Sequence, residues 1–223
     1  MNKLNHVAFI MDGNGRWGKK KNKNRNYGHY AGVKTVKKIV ESSIKYKIPI
    51  VTFYVFSTEN WKRPKTEINF LFSLVSQYFN SELQNVIRNG IKINIIGELN
   101  KLPKKLKSIL KKTIKKTKRN KKILVNLALN YGSKTELVNT FKKIKLKKIK
   151  EKNEKNNLYT KNLPDPDILI RTGGKKRLSN FMLWQLAYAE LYFLDKLWPD
   201  FMPRDLYKIL KHYYKIRRNF GGI

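Results

Sequence analysis

Cysteine is absent from this chain of 223 residues, and acidic residues are scarce. Without cysteine, the chain has neither a disulfide framework nor a thiolate metal site. No apolar run reaches the length of a membrane span, and the N-terminal residues 1–4 lack the apolar stretch of a signal peptide. The length suits one domain. We therefore expect a single domain, residues 1–223, in a soluble cytoplasmic protein.

The scarcity of acids produces a formal net charge of +35, from 50 Lys and Arg against 15 Asp and Glu. Such a balance often indicates a nucleic-acid partner. However, the densest basic stretch, residues 101–122, contains one Arg and no aromatic residue. Proteins that read bases use Arg forks and interleaved aromatic rings. We interpret the charge as a bias towards Lys on solvated helix faces, and nucleic-acid binding stays as an alternative function.

Arginine is much rarer than lysine, with 10 Arg against 40 Lys. An Arg in such a chain marks a position where a planar fork is useful. Five of them lie in polar, loop-like segments and together suit a phosphate or diphosphate: Arg16, Arg25, Arg63, Arg171 and Arg177. The P-loop pattern GxxxxGK[ST] is absent from the sequence, which disfavours an ordinary nucleotide kinase.

Short apolar runs alternate along the chain with segments of helical periodicity. The runs are Val7–Met11, Ile50–Phe56, Ile91–Ile96, Ile123–Leu129 and Ile168–Ile170. Apolar stripes at helical spacing occupy 30–44, 68–87 and 106–114 between them. This alternation predicts an α/β fold with a central, mainly parallel sheet of about six strands flanked by helices. The Lys- and Asn-rich segment 142–163 predicts a linker.

The segment after the first apolar run contains a carboxylate, two glycines and an arginine. Parallel strands bring their carboxyl ends to one edge, where open α/β sheets bind ligands. Gly13 and Gly15 would let backbone N–H groups approach an anion, and Arg16 would add a charged donor. Asp12 would repel a phosphate unless a divalent cation lay between them. The loop thus predicts a metal-bound diphosphate, with a plain strand-terminal turn as the alternative.

The broad apolar stripe over 68–87 bears on the kind of substrate. A core helix accounts for most of its residues. Aromatic residues also lie in the neighbouring loops, at Trp17, Tyr27, Phe56 and Trp61, although Phe56 and Trp61 could be ordinary core residues. An Arg-rich mouth beside an elongated apolar cleft suits an amphiphile with a charged head and a hydrocarbon tail.

Seven motifs, in matching order and spacing, resemble those of the cis-prenyltransferases, and most closely those of the bacterial undecaprenyl diphosphate synthases. They run from His6 to about Gly222: HVAFIMDGNGRW, YGHYAGVKTV, TFYVFSTENWKRP, IIGELNKLP, NLALNYG, DILIRTGG, and RLSNFMLWQLAYAELYF followed by LWPDF. A single motif would be weak evidence, whereas seven in register are specific.

The resemblance implies repeated condensation of isopentenyl diphosphate onto an allylic diphosphate, which is farnesyl diphosphate in the family. Mg²⁺ is the implied cofactor and a homodimer is the implied assembly. The implied product is undecaprenyl diphosphate or a similar long polyprenyl diphosphate, the precursor of the cell-wall glycosyl carrier lipid. Peripheral contact with a membrane for product release is a further expectation, and nucleic acid is not an expected partner.

The resemblance also implies roles for individual residues. Asp12 would be the essential carboxylate that places Mg²⁺ on the diphosphate, and Glu190 would complete the metal environment, in the family partly across the dimer interface. A buried acid without a partner is costly, which favours a functional role for Glu190. Asn60 would be the second catalytic residue. A neutral amide is a very poor base, so positioning or relaying a proton to a phosphate oxygen is the better interpretation.

The remaining implied residues would bind the diphosphates or line the reacting centre. The allylic diphosphate would be held by Gly13, Asn14, Gly15, Arg16, Arg25 and His29, with Trp17 beside them. The diphosphate of isopentenyl diphosphate would be held by Arg171, Arg177 and Ser179, with Leu178 between them. The reacting centre would be lined by Ser57, Thr58, Glu59, Asn60, Trp61 and Arg63. A capping or surface role is the alternative for His29.

The chain departs from the family pattern in two places. The family normally has Glu, often followed by His, where this chain has Lys175 and Lys176, so a carboxylate and an imidazole beside the implied diphosphate site are replaced by two cations. Ser133 and Lys134 stand where relatives usually have Gly and Arg. A non-catalytic prenyltransferase-like subunit is the second alternative function. It would be expected to lose Asp12 or the loop 171–179, and this chain keeps both.

Overall fold

The computed structural model describes residues 2–144, 155 and 157–219. Six strands form one sheet in the order β3-β4-β2-β1-β5-β6, and every adjacent pair is parallel. The strands are β1 (His6–Ile10), β2 (Ile50–Ser57), β3 (Ile91–Ile96), β4 (Ile123–Tyr131), β5 (Ile168–Arg171) and β6 (Glu190–Phe193). The predicted α/β class and parallel sheet are confirmed. β6 is the strand that the apolar runs did not locate.

Six α-helices of seven or more residues accompany the sheet in the part of the chain that the structure describes. They are α1 (Asn14–Lys20), α2 (Arg25–Lys45), α3 (Lys65–Arg88), α4 (Lys104–Thr117), α5 (Ser133–Lys143) and α6 (Pro203–Tyr213). Short 3-10 helices cover Thr58–Lys62, Leu99–Lys101 and Trp198–Asp200. The three predicted helical stripes lie in α2, α3 and α4. The predicted linker 142–163 includes residues 145–154 and 156, which lie outside the described residues.

The period of two along β1 divides the core into two clusters. Val7 and Phe9 belong to the larger cluster, which α2, α3, α4 and α6 cover together with the aromatic ring of Trp198. Ala8 and Ile10 belong to the smaller cluster, in which the segment 181–186 packs. Among the described residues, no helix combines the length and the apolarity needed to cross a bilayer.

Helix α1 rests directly on the backbone of α2. A Cβ atom on Gly28 would lie 1.9 Å from the carbonyl oxygen of Asn14, and one on Gly18 would lie 2.3 Å from the carbonyl oxygen of Asn24. Such distances leave no room for any side chain, so glycine is required at both positions by close approach. The contact fixes α1, and with it the loop that joins β1 to α1.

An apolar cavity lies between α2, α3 and the sheet. It extends from Met11 and His29, at the carboxyl edge of the sheet, towards Val86 at the end of α3 and Ile91 at the start of β3. Leucine, valine and phenylalanine side chains of α3 form one wall, among them Leu71, Phe72, Val75 and Phe79. The cavity therefore runs along the strands from one edge of the sheet towards the other.

His6 is a buried polar residue at the start of β1. Its Nε2 atom lies 2.7 Å from Oγ1 of Thr52 in β2, and its Nδ1 atom lies 2.8 Å from the carbonyl oxygen of Pro164. Burial lowers the pKa of the imidazole from 6.5 to about 4, against the raising effect of the hydrogen bond to Pro164. His6 thus joins β1, β2 and the segment before β5 in its neutral form.

We expect the free energy of unfolding to fall as the pH decreases from 6.5 towards 4. In that window the unfolded chain binds a proton at His6 and the folded protein does not, so protons favour unfolding. The loss should approach about 3 kcal/mol for this residue, at roughly 1.4 kcal/mol per pH unit. Urea unfolding at several pH values gives the free energy of unfolding as a function of pH. Between pH 4 and 6.5 this free energy should change less steeply with pH in His6→Gln than in the wild type. An equally steep pH dependence would contradict the role of His6.

Candidate active site

A polar cavity of about 610 Å³ opens at the carboxyl edge of the sheet. The loops after β1, β2 and β5 line it, with residues that include Asp12, Asn60, Arg63, Arg171 and Ser179. Five residues line both this cavity and the apolar one: Met11, Asn14, His29, Val55 and Leu71. The two cavities therefore adjoin each other, with a charged mouth next to an apolar interior.

The centre of the mouth is a contact between Asp12 and Arg171. Arg171 ends β5 and has a side chain that is only 3% exposed, and its Nη2 atom donates to Oδ2 of Asp12 at 2.9 Å. Its Nη1 atom donates to Oγ of Ser179 at 2.7 Å and to the carbonyl oxygen of Arg177. Arg16 donates to the other carboxylate oxygen of Asp12 at 3.2 Å. Two arginines, one in α1 and one at the end of β5, thus hold one carboxylate, which stays 30% exposed at the mouth.

Two buried polar atoms next to this contact have no hydrogen-bond partner among the described residues: Nε of Arg171 and Oδ1 of Asn14. A buried polar atom without a partner costs about 1–3 kcal/mol, so folded proteins keep few of them. Both atoms lie on residues that line the polar cavity. The Oδ1 atom of Asn14 lies against Gly32 of α2, so it is the Nε atom of Arg171 that supports a site for a polar ligand.

Glu67 organises the opposite side of the mouth. It lies in the first turn of α3, is 8% exposed, and accepts hydrogen bonds from Arg25 at 3.0 and 3.2 Å and from Arg63 at 3.1 Å. His29 Nε2 is 3.3 Å from the same carboxylate. Burial by itself would raise the pKa of Glu67, but these partners hold it below its usual range. The ionised carboxylate therefore gathers three of the predicted diphosphate ligands.

Glu67 is a site residue that the sequence motifs do not reveal. The resemblance implies substrate-binding roles for Arg25, His29 and Arg63, and the carboxylate that holds them in place is not among the implied residues. A signal was available, because acids are scarce in this chain and Glu67 follows Arg63 by four residues, at the start of a predicted helix. An acid at that spacing in such a basic chain indicates a specific cationic partner.

Replacing Glu67 with Gln should lower the pKa of His29. Burial already holds this pKa below 6.5, with Arg63 and Arg25 adding to the effect, while the charge of Glu67 raises it. Removing that charge leaves only the lowering effects. The chain has three histidines, so NMR titration of their ring protons can follow each one. His6, which is buried between β1, β2 and the segment before β5, should keep its lowered pKa. An unchanged His29 would contradict the arrangement.

The loop after β2 folds as a 3-10 turn that carries the predicted reacting-centre residues. Asn60 accepts a hydrogen bond at Oδ1 from the backbone N–H of Ser57, at 3.2 Å. Trp61 donates to Asn130 at 2.7 Å and packs edge-on against Phe56. The amide oxygen of Asn60 is thus engaged in holding the turn, which agrees with a positioning role for this residue.

Of the remaining predicted residues, Arg177 lines the polar cavity, whereas Trp17, Gly13, Gly15, Leu178 and Thr58 are not among its lining residues. Trp17 stacks on Tyr27 at 5.7 Å and donates to Asp200 at 2.7 Å. Gly13, which precedes α1, has a positive φ of 109°, and a Cβ on Gly15 would lie 2.7 Å from the guanidinium of Arg25. Arg177 is exposed and Leu178 packs against the smaller core cluster. Thr58 donates to Glu59 at 3.2 Å.

Glu190 is a predicted site residue that lies away from Asp12 within the same chain. It begins β6 opposite Ile168, whereas Arg171 lies opposite Phe193 at the other end of the strand. Three residues of strand separate these ends by about 10 Å. The Glu190 side chain is 33% exposed and lies 3.6 Å from Nε of Arg218. The expectation of a buried acid without a partner is therefore wrong, because β6 is an edge strand.

Among the described residues that line the mouth, the carboxylates are Asp12 and Glu59, and Asp12 is the one held beside Arg16 and Arg171. Among the described residues, no group of three or more His, Cys, Asp or Glu side chains is arranged to hold one. Mg²⁺ is commonly bound by one or two carboxylates together with substrate phosphates, without an all-protein cage. Asp12, surrounded by Arg side chains suited to a diphosphate, fits that kind of joint binding.

A family model described as "Putative undecaprenyl diphosphate synthase" matches residues 10–221. The chain belongs to this family. The isoprenyl transferase of Helicobacter pylori is 46% identical over 230 residues, covering 100% of this chain and 98% of that protein. The isoprenyl transferase of Clostridium tetani is 45% identical over 228 residues, covering 98% of this chain and 89% of that protein.

Solved structures agree with the family assignment. A probable undecaprenyl diphosphate synthase from Campylobacter jejuni superposes with a TM-score of 0.85 and 36% identity, over 100% of both chains. Lavandulyl diphosphate synthase from Lavandula x intermedia, in complex with dimethylallyl diphosphate, superposes with a TM-score of 0.94 and 32% identity, over 98% of both chains. The chain is a cis-prenyltransferase, an enzyme of isoprenoid biosynthesis, and the alternative of a nucleic-acid-binding protein is set aside.

Proposed function

We propose that this enzyme condenses isopentenyl diphosphate repeatedly onto farnesyl diphosphate to give undecaprenyl diphosphate or a similar long polyprenyl diphosphate. The position of the charged mouth directly beside the apolar cavity, with five lining residues in common, carries this proposal. A diphosphate head fits the arginines of the mouth, and a growing hydrocarbon tail fits the apolar interior. The product would serve as the precursor of the cell-wall glycosyl carrier lipid.

The two diphosphates bind on opposite sides of Asp12. Arg16, Arg25 and His29 lie on the side of α1 and α2 and bind the allylic diphosphate. Arg171, Arg177 and Ser179 lie on the side of β5 and bind the diphosphate of isopentenyl diphosphate. Arg171 is fixed by its hydrogen bonds to Asp12 and Ser179, so its guanidinium fork is oriented before substrate arrives.

The reaction breaks the bond between the allylic carbon and its diphosphate oxygen. The double bond of isopentenyl diphosphate attacks that carbon, and loss of a proton leaves a new cis double bond. Negative charge develops on the leaving diphosphate, where Arg16 and Arg25 stabilise it. Asp12 would hold Mg²⁺ together with the bound diphosphate, and the ion would supply further charge neutralisation there. Asn60 orients the 3-10 turn, and the departing proton passes to a phosphate oxygen.

Asp12→Ala should lower kcat for condensation by about a hundredfold or more, because it removes a central electrostatic contribution. Asp12→Asn keeps the shape of the side chain and should lose activity similarly. Glu82→Gln, which removes a carboxylate bound to Lys37 on the outside of α3, should keep normal turnover. The assay measures incorporation of labelled isopentenyl diphosphate with Mg²⁺ and farnesyl diphosphate. More than about a tenth of wild-type kcat in folded Asp12→Ala would contradict the role.

Product length should depend on the far end of the apolar cavity. Val86 lies there on α3, so Val86→Trp should shorten the polyprenyl product while the first condensation continues. Gln84→Trp adds the same side chain at an exposed position of the same helix and should leave product length unchanged. Chromatography of the dephosphorylated products resolves the chain lengths. Unchanged products from folded Val86→Trp would assign this wall to the core alone.

We further propose a homodimer in which Glu190 approaches the metal site of the partner subunit. Glu190 lies on the edge strand β6, half-exposed and away from the Asp12 of its own chain. Tyr188 and Leu191 next to it are 67% and 45% exposed. Exposed apolar side chains on an edge strand favour association with another chain. Glu190 could then contribute its carboxylate across the interface.

A cytoplasmic enzyme in peripheral contact with a membrane is the proposed localisation. α2, α4 and α6 end at the amino edge of the sheet, towards which the apolar cavity runs. Exposed lysines lie within about two turns of these helix ends, at Lys45 and Lys47, Lys118 and Lys121, and Lys211 and Lys215. A groove of Tyr46, Tyr207 and Tyr214 lies among them. Cations around aromatic side chains suit a bilayer surface with anionic lipids.

Charge reversal at this edge should weaken binding to anionic vesicles. Lys118→Glu with Lys121→Glu changes the end of α4, and we expect binding to phosphatidylglycerol vesicles to fall about tenfold or more, since each surface cation contributes roughly 1 kcal/mol. Lys104→Glu with Lys105→Glu makes the same charge change at the other end of α4, near the carboxyl edge, and should have a smaller effect. Sedimentation with vesicles measures both. Equal losses would indicate attraction by net charge alone.

A further inference from the structure

Asn180 joins three loops that come from different strands. Its side-chain Nδ2 donates to Oε1 of Glu59 at 2.7 Å, in the turn after β2. Its side-chain Oδ1 accepts from the backbone N–H of Lys134 at 2.8 Å, at the start of α5 after β4. Its backbone carbonyl accepts from the N–H of Ser133 at 2.8 Å. Both polar groups of the side chain are therefore engaged by the protein.

The backbone around Asn180 is in an unusual conformation. Ser179, Asn180 and Met182 have φ values of 51°, 61° and 47°, and residues other than glycine occupy this left-handed region at a cost. The start of α5 holds the segment in place, because Ser133 also accepts from the N–H of Leu183 at 3.0 Å. Ser179, whose hydroxyl accepts from Arg171, is the immediate neighbour of Asn180. The position of that hydroxyl depends on this anchoring.

The hydrogen bond to Glu59 reaches across the mouth through space left by Gly132. A Cβ on Gly132 would lie 2.8 Å from Nδ2 of Asn180 and 2.4 Å from Oγ1 of Thr58. Any side chain there would separate the 171–180 loop from the turn after β2. Burial by itself would raise the pKa of Glu59, but the Asn180 amide and neighbouring donors hold it below its usual range. Glu59 therefore faces Asn180 as an ionised acceptor.

We propose that Asn180 is a positioning residue that aligns the two halves of the substrate site with each other. It holds the turn that carries Glu59, Asn60 and Trp61 against the loop that carries Arg177 and Ser179. The inference rests on the proposed function, in which these two segments contact the reacting carbons and the diphosphate of isopentenyl diphosphate. Asn180 acts through Glu59 and Ser179, because its own polar groups are bound to protein.

Exchanging the donor and the acceptor of the hydrogen bond between Asn180 and Glu59 tests this role; that hydrogen bond is called the bridge below. Asn180→Asp places two carboxylates against each other, while the new carboxylate can still accept from Lys134. We expect kcat to fall about tenfold and KM for isopentenyl diphosphate to rise, with KM for the allylic diphosphate less affected. In the double variant Asn180→Asp with Glu59→Gln, the Gln amide donates to the Asp carboxylate. The bridge is restored with reversed polarity, so the double variant should recover most of what Asn180→Asp lost.

A matched control separates the bridge from net charge. Asn180→Asp with Glu98→Gln has the same total charge as the double variant but does not restore the Glu59 contact, and it should not recover. Asn180→Gly keeps access to positive φ and removes both side-chain hydrogen bonds, so it should resemble Asn180→Asp in kinetics. Wild-type kinetics in Asn180→Gly, additive effects of Asn180→Asp and Glu59→Gln, or equal recovery with Glu98→Gln would each overturn the proposal.

A binding measurement distinguishes failure of this inference from failure of the proposed function. Inorganic diphosphate is titrated into the same variants while tryptophan fluorescence is recorded, since Trp61 lies two residues from Glu59. We expect weaker binding in Asn180→Asp and recovery in the double variant with Glu59→Gln. No condensation by the wild type would overturn the proposed function, and the diphosphate titration would still decide the coupling. Identical diphosphate affinities in all variants would overturn the proposal that Asn180 aligns the two halves of the site.

Discussion

A guanidinium that is almost excluded from solvent governs the site. Arg171 is 3% exposed, and a buried cation is stable only with a charged partner and satisfied hydrogen bonds. Asp12 supplies the charge, and the loop that follows β5 supplies a hydroxyl and a carbonyl. Because Ile10 and Arg171 are paired in adjacent parallel strands, the two side chains meet without any long excursion of the chain. The carboxylate that neutralises Arg171 is also the one available to a metal, so stability and chemistry depend on the same residue.

Local patterns predicted the elements whose burial is nearly complete. The first five strands are short apolar runs, and their observed bounds differ from the predicted ones by at most two residues at either end. β6 was not located, because Glu190–Phe193 is half-exposed and its composition does not differ from its surroundings. The first apolar run ends at Met11, whereas β1 ends at Ile10, so the loop that contains Asp12 begins one residue earlier than the run predicts.

The site was predictable in its ligands but not in its supports. Arginines in polar loops are visible in a sequence because their chemistry is specific. Glu67 and Asn180 are not, because an acid or an amide gains its role only from what the fold places opposite it. The misplacement of Glu190 has the same origin, since burial of a residue on an edge strand cannot be read from its apolar neighbours. A compositional bias explains the number of lysines. The parallel sheet brings Asp12, Glu59 and Glu98 to its carboxyl edge, because each of them follows the end of a strand.

The contact of α1 with α2 has a consequence for the genetics of this enzyme. Gly18 and Gly28 are not among the described residues that line either cavity. Even so, no other amino acid fits at either position. Substitution there would displace the segment that carries Asn14 and Arg16, so an allele altered at these glycines would show the same phenotype as one altered at Asp12. A screen for inactive alleles would therefore recover backbone contacts alongside catalytic groups. The level of folded protein in the cell, rather than the severity of the defect, would tell them apart.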